Sequence, residues 1–198
     1  MRVNCNSRRL AAIALALCAV AAASTSAKVK VKTQHDKQFD FTKVRTYAWH
    51  PTGAGEVKLL QSSGDDPAQI QARLDPIIRS TVEAQLAQRG LTRVASGEPD
   101  LYVYYYVLIG PNTSSQYTGQ FIGSAPAWGL PPFAGATTSL KIYEQGSLVL
   151  DLSAPALKSA VWRGTAQAEV DRTLDPQKRE QRIRAAITDM LKQFPPKK

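Results

Sequence analysis

Three tyrosines spaced two apart, Tyr102, Tyr104 and Tyr106, stand in the stretch EPDLYVYYYVLIG. Alternate residues of a strand share one face, so this spacing sets three phenol rings in a row. Such a row suits binding rather than bond-making, because tyrosine offers a wide apolar ring with a hydroxyl at its tip at low entropic cost. The same residues also stabilise ordinary sheets through cross-strand pairs, and the spacing leaves both readings open. Arg163, in AVWRGTAQAEV, alternates with Thr165, Gln167 and Glu169 on the polar side of its own strand. If Leu101, Val103 and Tyr105 face helices, Arg163 shares a solvated face with the three tyrosines, together with Lys141, Tyr143 and Asp151.

Bond-making needs a constellation, and the sequence offers none. His35 and His50 stand in separate segments without metal-ligand spacing and read as surface histidines. Asp65 and Asp66 could hold a cation, but Asp66 precedes Pro67 and is better used as a helix cap. The chain has no Gly-x-Ser-x-Gly elbow, phosphate loop or dinucleotide fingerprint. The expectation is a non-catalytic protein with no catalytic residues, no bound metal and no cofactor.

A second binding candidate is the segment 110–137, GPNTSSQYTGQFIGSAPAWGLPPFAGAT, which carries Tyr117, Phe121, Trp128 and Phe133 and no charged residue. Loops this long are uncommon in compact domains, and aromatic content argues against a solvated tether. Two readings stay open. The segment is either a lid over the tyrosine face or a flap in which Trp128 and Phe133 contact a partner, a glycan or a membrane surface.

The elements that must position these residues follow from periodicity. VKVKTQHD reads as an edge strand whose lysines discourage further pairing. FDFTKVRTYAWHP reads as two short elements, and residues 51–66, rich in Gly, Ser and Asp, read as a loop. Asp66-Pro67 and Asp75-Pro76 both resemble helix starts, and the main helix is expected from Asp75, with a turn or short helix before it, because Pro76 should break one begun earlier. Ile78, Val82 and Leu86 form its stripe and Gly90 its stop. Asp175-Pro176 opens a second helix that buries Ile183, Ile187, Met190, Leu191 and Phe194 before Pro195-Pro196. SLKIYEQGSLVLDLS reads as a hairpin turning at residues 144–146, and in AVWRGTAQAEV Trp162, Gly164, Ala166, Ala168 and Val170 make an apolar face. These patterns predict an α+β fold, a single antiparallel sheet with two main helices packed on one face.

The termini and composition set the compartment. Arg2, Arg8 and Arg9 followed by LAAIALALCAVAAA and Thr25-Ser26-Ala27 read as a signal peptide over residues 1–27, leaving 28–198 as one domain. Cys18 lies in a lipobox-like context, but Leu17 is bulky where a small residue belongs; outer-membrane anchoring follows only if Cys18 is lipidated. The signal holds three of the 25 Lys and Arg and none of the 16 acids, so the mature chain stays basic. That charge is scattered and accompanies no recognition helix, which argues against nucleic acid as a partner. Both cysteines, Cys5 and Cys18, fall in the signal, so the mature domain is expected to hold together without disulfides.

Taken in order, FDFTKVRTYAWHP, LDPIIRSTVEAQLAQRGLTRV, PDLYVYYYV, GSLVLDLSAPALKSAVWRGTA and a terminal helix ending in FPP resemble the domain of unknown function 4136 family of bacterial envelope proteins. LVLDL and VWRGTA are the most specific parts. The resemblance implies export and an α+β fold, and it brings no catalytic residues, since none is established for the family. Many members look like lipoproteins, a pattern from which Leu17 departs. The expected role is a periplasmic binding or assembly module whose partner is an envelope protein, a glycan or a membrane surface. A peripheral membrane or lipid-binding protein is the alternative, and an uncharacterised enzyme the remote one.

Overall fold

The computed structural model of the chain describes residues 29–59, 66–110, 146–157, 159–168 and 174–196. Along them run strands β1 (Lys30–His35), β2 (Thr46–Trp49), β3 (Gly55–Leu59), β4 (Thr92–Arg93), β5 (Leu101–Ile109), β6 (Ser147–Ala154) and β7 (Ser159–Gln167). Two helices, α1 (Pro67–Ala87) and α2 (Pro176–Leu191), complete the α+β fold. The described strands form one sheet in the order β1-β7-β6-β5-β2-β4, with β3 also paired to β5. The edge position expected for VKVKTQHD holds: β1 pairs with β7 and ends the sheet.

The sheet is mixed, which corrects the antiparallel expectation. β1, β7, β6 and β5 run antiparallel in succession, whereas β2 and β3 lie parallel to β5 and β4 lies parallel to β2. The reason is the crossover: between β3 and β5 the chain passes through α1, and a helical return brings the next strand in parallel. Side-chain alternation looks the same in either direction, so the sequence pattern does not reveal it.

The segment read as a loop, 51–66, contains β3. Together β2 and β3 form one interrupted line along β5, with β2 beside Leu101–Val103 and β3 beside Tyr105–Ile109. The break falls at HPTGA, where Pro51 has no N–H to give and Gly53 takes φ 130°. Bonds from His50 N–H to the Val103 carbonyl and from Tyr105 N–H to the Ala54 carbonyl hold the two sides of the break. Gly55 opens β3 with no room for a side chain, since a Cβ there would collide with the ring and carbonyl of Tyr105. Residues 60–65 lie outside the described residues.

The first helix starts earlier than its sequence suggests. Asp66 caps it by accepting from Ala68 N–H at 2.9 Å, Pro67 follows, and the helix runs on through Pro76 to Ala87. Tertiary contacts hold the turns that precede the proline: Ile70 is buried, and Gln71 Nε2 donates to the Gly55 carbonyl at 2.8 Å. Asp75 is therefore not a cap. Its Oδ1 accepts from the Tyr105 hydroxyl at 2.9 Å and ties the helix to β5. Gly90, at φ 79°, closes the C-terminus with paired bonds from Gly90 N–H to Ala87 and from Leu91 N–H to Leu86. The second helix starts as expected, with Asp175 accepting from Gln177 N–H at 2.7 Å.

The core draws on both helices and one row of the sheet after another. Tyr105, Leu150 and Gly164 are cross-strand partners and so share a face. Tyr105 meets Asp75 of α1, and Gly164 is so close to Met190 of α2 and to the Trp162 ring that a Cβ would not fit. Ile78, Val82, Leu86, Ile187, Met190 and Leu191 join Leu101, Val103, Leu152 and Trp162 in one buried cluster. The two helices are also tied to each other: Arg184 Nη1 donates to Thr81 Oγ1 at 2.8 Å, and Arg89 Nε donates to the carbonyls of Leu191 and Phe194.

The opposite face is not the solvated surface expected from alternation. Every residue of β7 is buried, Arg163, Thr165 and Gln167 included, and Asp151 of β6 is 0% exposed. A polar residue in a strand normally signals water, but here each charge has found a partner within the sheet. The first arm of the expected hairpin, with Leu140, Lys141, Ile142 and Tyr143, lies outside the described residues, as do Glu169 and Val170.

Candidate functional site

The register of the sheet builds a site that periodicity alone does not give. On the face turned from Tyr105 and Gly164, Tyr104 pairs with Asp151, Asp151 with Arg163 and Arg163 with Gln34. His50 continues the line where β2 ends beside Tyr102 and Val103. One row of polar side chains, phenol, carboxylate, guanidinium and amide, thus crosses four strands, with the imidazole at its end just past β2. The next row sets Glu56 beside Tyr106, Tyr106 beside Val149 and Val149 beside Thr165.

The buried end of this arrangement is an ion pair. Arg163 donates from Nε to Asp151 Oδ1 and from Nη2 to Oδ2, both at 2.6 Å, a two-pronged pairing with both side chains out of water. Burial works against the charge of the guanidinium, yet the facing carboxylate outweighs it and holds Arg163 above its ordinary range. Tyr106 is pushed well up from the usual phenol value by burial, then by Asp151 and Tyr104. It stays protonated and donor-competent throughout the physiological range.

The open end is aromatic. The His50 ring stands edge-on to Tyr102 at 5.5 Å and to Tyr104 at 5.6 Å, and Tyr104 lies 4.9 Å from Tyr106. His50, Tyr102 and Tyr104 are half-buried, whereas Tyr106 is 4% exposed. Thr52 fixes the imidazole through a 2.7 Å contact between its Oγ1 and His50 Nδ1. Lys58 reaches over the Tyr106 ring and pairs with Glu56 at 3.2 Å. Burial, then the Glu56 charge, raises the Tyr104 phenol above its ordinary value.

The structure thus brings Tyr102, Tyr104 and Tyr106 together on one face, as their spacing predicts. It places Arg163 on the same face, in the row of Tyr104, but buried against Asp151 rather than presented to a partner. Trp128 and Phe133 lie outside the described residues. His50 is no isolated surface histidine, for the break between β2 and β3 lifts it against the tyrosines. Glu56 and Lys58 were hidden in a segment whose composition reads as a loop. The available signal was the alternation of Val57 and Leu59 around Lys58, too short to stand against the surrounding Gly and Ser. Among the described residues no three His, Cys, Asp or Glu side chains converge as a metal site would require.

The family model described as "Domain of unknown function (DUF4136)" matches residues 31–196. The chain belongs to the DUF4136 family. Solved structures that resemble it include the following. A DUF4136 family protein from Bacteroides thetaiotaomicron is 16% identical with a TM-score of 0.46, over 84% of this chain and 96% of that one. A PDZ domain protein from Parabacteroides distasonis is 15% identical with a TM-score of 0.48, over 86% of this chain, which spans only 37% of that protein. The PelC dodecamer from Paraburkholderia phytofirmans gives 9% identity and a TM-score of 0.38, over 83% and 95% of the two chains. No curated protein matches the chain.

Proposed function

We propose that this DUF4136 protein is a non-catalytic binding module of the bacterial envelope, exported by residues 1–27 and working in the periplasm. In this reading the two helices close one face of the sheet, and the opposite face carries the contact surface at its half-open end. The observation that carries it is the convergence of His50, Tyr102 and Tyr104, with the imidazole edge-on to both phenol rings and all three partly exposed, beside a buried ion pair. Rings that served only the sheet would be covered like Tyr106; rings that serve a partner must reach solvent before it arrives. Among the described residues no helix is long and apolar enough to cross a membrane.

The test is recovery of partners from the native envelope by the tagged full chain, compared with Tyr102→Ser/Tyr104→Ser, with thermal unfolding of both proteins measured in parallel. The reading expects a near-unchanged midpoint and a lost partner. Equal recovery by both proteins would overturn it, and a large fall in midpoint would assign the rings to the fold instead.

A further inference from the structure

We infer that the ligand of the His50, Tyr102 and Tyr104 patch is an uncharged, hydroxyl-rich saccharide. The inference rests on the binding reading above and names its ligand class.

Charge is the first argument. Although the chain as a whole is strongly basic, among the described residues the ionic groups around the patch face opposite charges within it: Lys58 with Glu56 at 3.2 Å and Arg163 with Asp151 at 2.6 Å. A surface built for anionic headgroups or an acidic partner would present cations in excess, whereas this one offers a neutral ligand no repulsion and no desolvation of unpaired charge. Hydrogen-bonding capacity is the second. Among the described residues the hydroxyls of Tyr102 and Tyr104 and Nε2 of His50 have no partner, while Thr52 holds the imidazole by its other nitrogen. Three polar atoms at the rims of neighbouring rings, with apolar ring surface between them, ask for a ligand that alternates C–H faces with hydroxyls. A sugar ring has that alternation; an aliphatic chain lacks the hydroxyls and a phosphate lacks the C–H face.

The experiment titrates the full chain, purified from its host, with three neutral tetrasaccharides: cellotetraose, maltotetraose and the β-1,4-linked tetramer of N-acetylglucosamine. Calorimetry and amide chemical shifts provide the readouts. At least one sugar should bind and move the signals of His50, Tyr102 and Tyr104, with an affinity that hardly changes with salt. Tyr102→Ala or Tyr104→Ala should weaken it about tenfold or more, the loss that removal of about 1.4 kcal/mol produces. If either alanine variant unfolds, Tyr102→Phe/Tyr104→Phe keeps the rings, removes both hydroxyls and should still weaken binding several-fold. Failure of all three sugars to bind at millimolar concentration, binding indifferent to these substitutions, or preferred salt-sensitive binding to phosphatidylglycerol vesicles would each overturn the saccharide. A protein partner captured through Tyr102 and Tyr104 without sugar binding would overturn the saccharide alone and leave the binding module standing.

Discussion

Replacing one member of the Asp151–Arg163 pair should damage the fold far more than replacing both. The carboxylate is 0% and the guanidinium 5% exposed, and the two prongs are 2.6 Å long, so neither charge has water to fall back on. Arg163→Met leaves the buried Asp151 carboxylate without its two-pronged donor, and Asp151→Val takes the facing carboxylate from a buried guanidinium; each should cost about 3–5 kcal/mol, the scale of breaking a buried ion pair on one side. For a domain of this size that corresponds to a fall in Tm of roughly 6–20 °C, at about 2–4 °C per kcal/mol. The double variant removes both charges together and should lose much less than the sum, leaving a coupling of about 2–3 kcal/mol. Urea unfolding of the four proteins at neutral pH, with a common slope, measures the cycle. Single variants that each lose less than about 1 kcal/mol would mean a solvated pair, and the buried far face described above would be wrong.

Two further outcomes follow from the core and the tyrosines. Trp162 is 0% exposed, packs against Phe194 at 5.6 Å and over Gly164, and its Nε1 has no hydrogen-bond partner. Trp162→Ala should therefore cost about 3–5 kcal/mol through its cavity, while Trp162→Phe, which also removes the stranded N–H, should cost markedly less in the same urea assay; equal losses would refute the packing. The phenols of Tyr105 and Tyr106 are both pushed well above the ordinary value of 10.0, first by burial, then by Asp75 for Tyr105 and by Asp151 for Tyr106. Because the folded values are raised, the stabilisation is complete below pH 10 and is lost as the pH climbs from there toward the folded values. Unfolding midpoints should hold steady up to about pH 10 and then decline, and Tyr105→Phe/Tyr106→Phe should flatten that decline; an unchanged alkaline decline would exclude these phenols as its source.

What the sequence determined by itself is local. The caps at Asp66 and Asp175, the stripe Ile78, Val82 and Leu86, the stop at Gly90 and the extended runs of β1 and β5 follow from contacts within a few residues, and short-range chemistry is written in order along the chain. The row of Tyr102, Tyr104 and Tyr106 was legible for the same reason. What only the tertiary structure decided is what depends on partners far apart in sequence. Pro76 continues a helix because Ile70 and Gln71 are held by packing and by Gly55, 16 residues from Gln71. β3 exists because Gly55 lets the backbone close on Tyr105, and β2 and β3 run parallel to β5 because α1 carries the chain back before β5 begins. Alternation told which residues of β7 share a face but not whether that face meets water, since the burial of Arg163 depends on Asp151, 12 residues away on the neighbouring strand. His50 joined the tyrosines only through the register of β2 on β5, a relation that no spacing along the chain encodes.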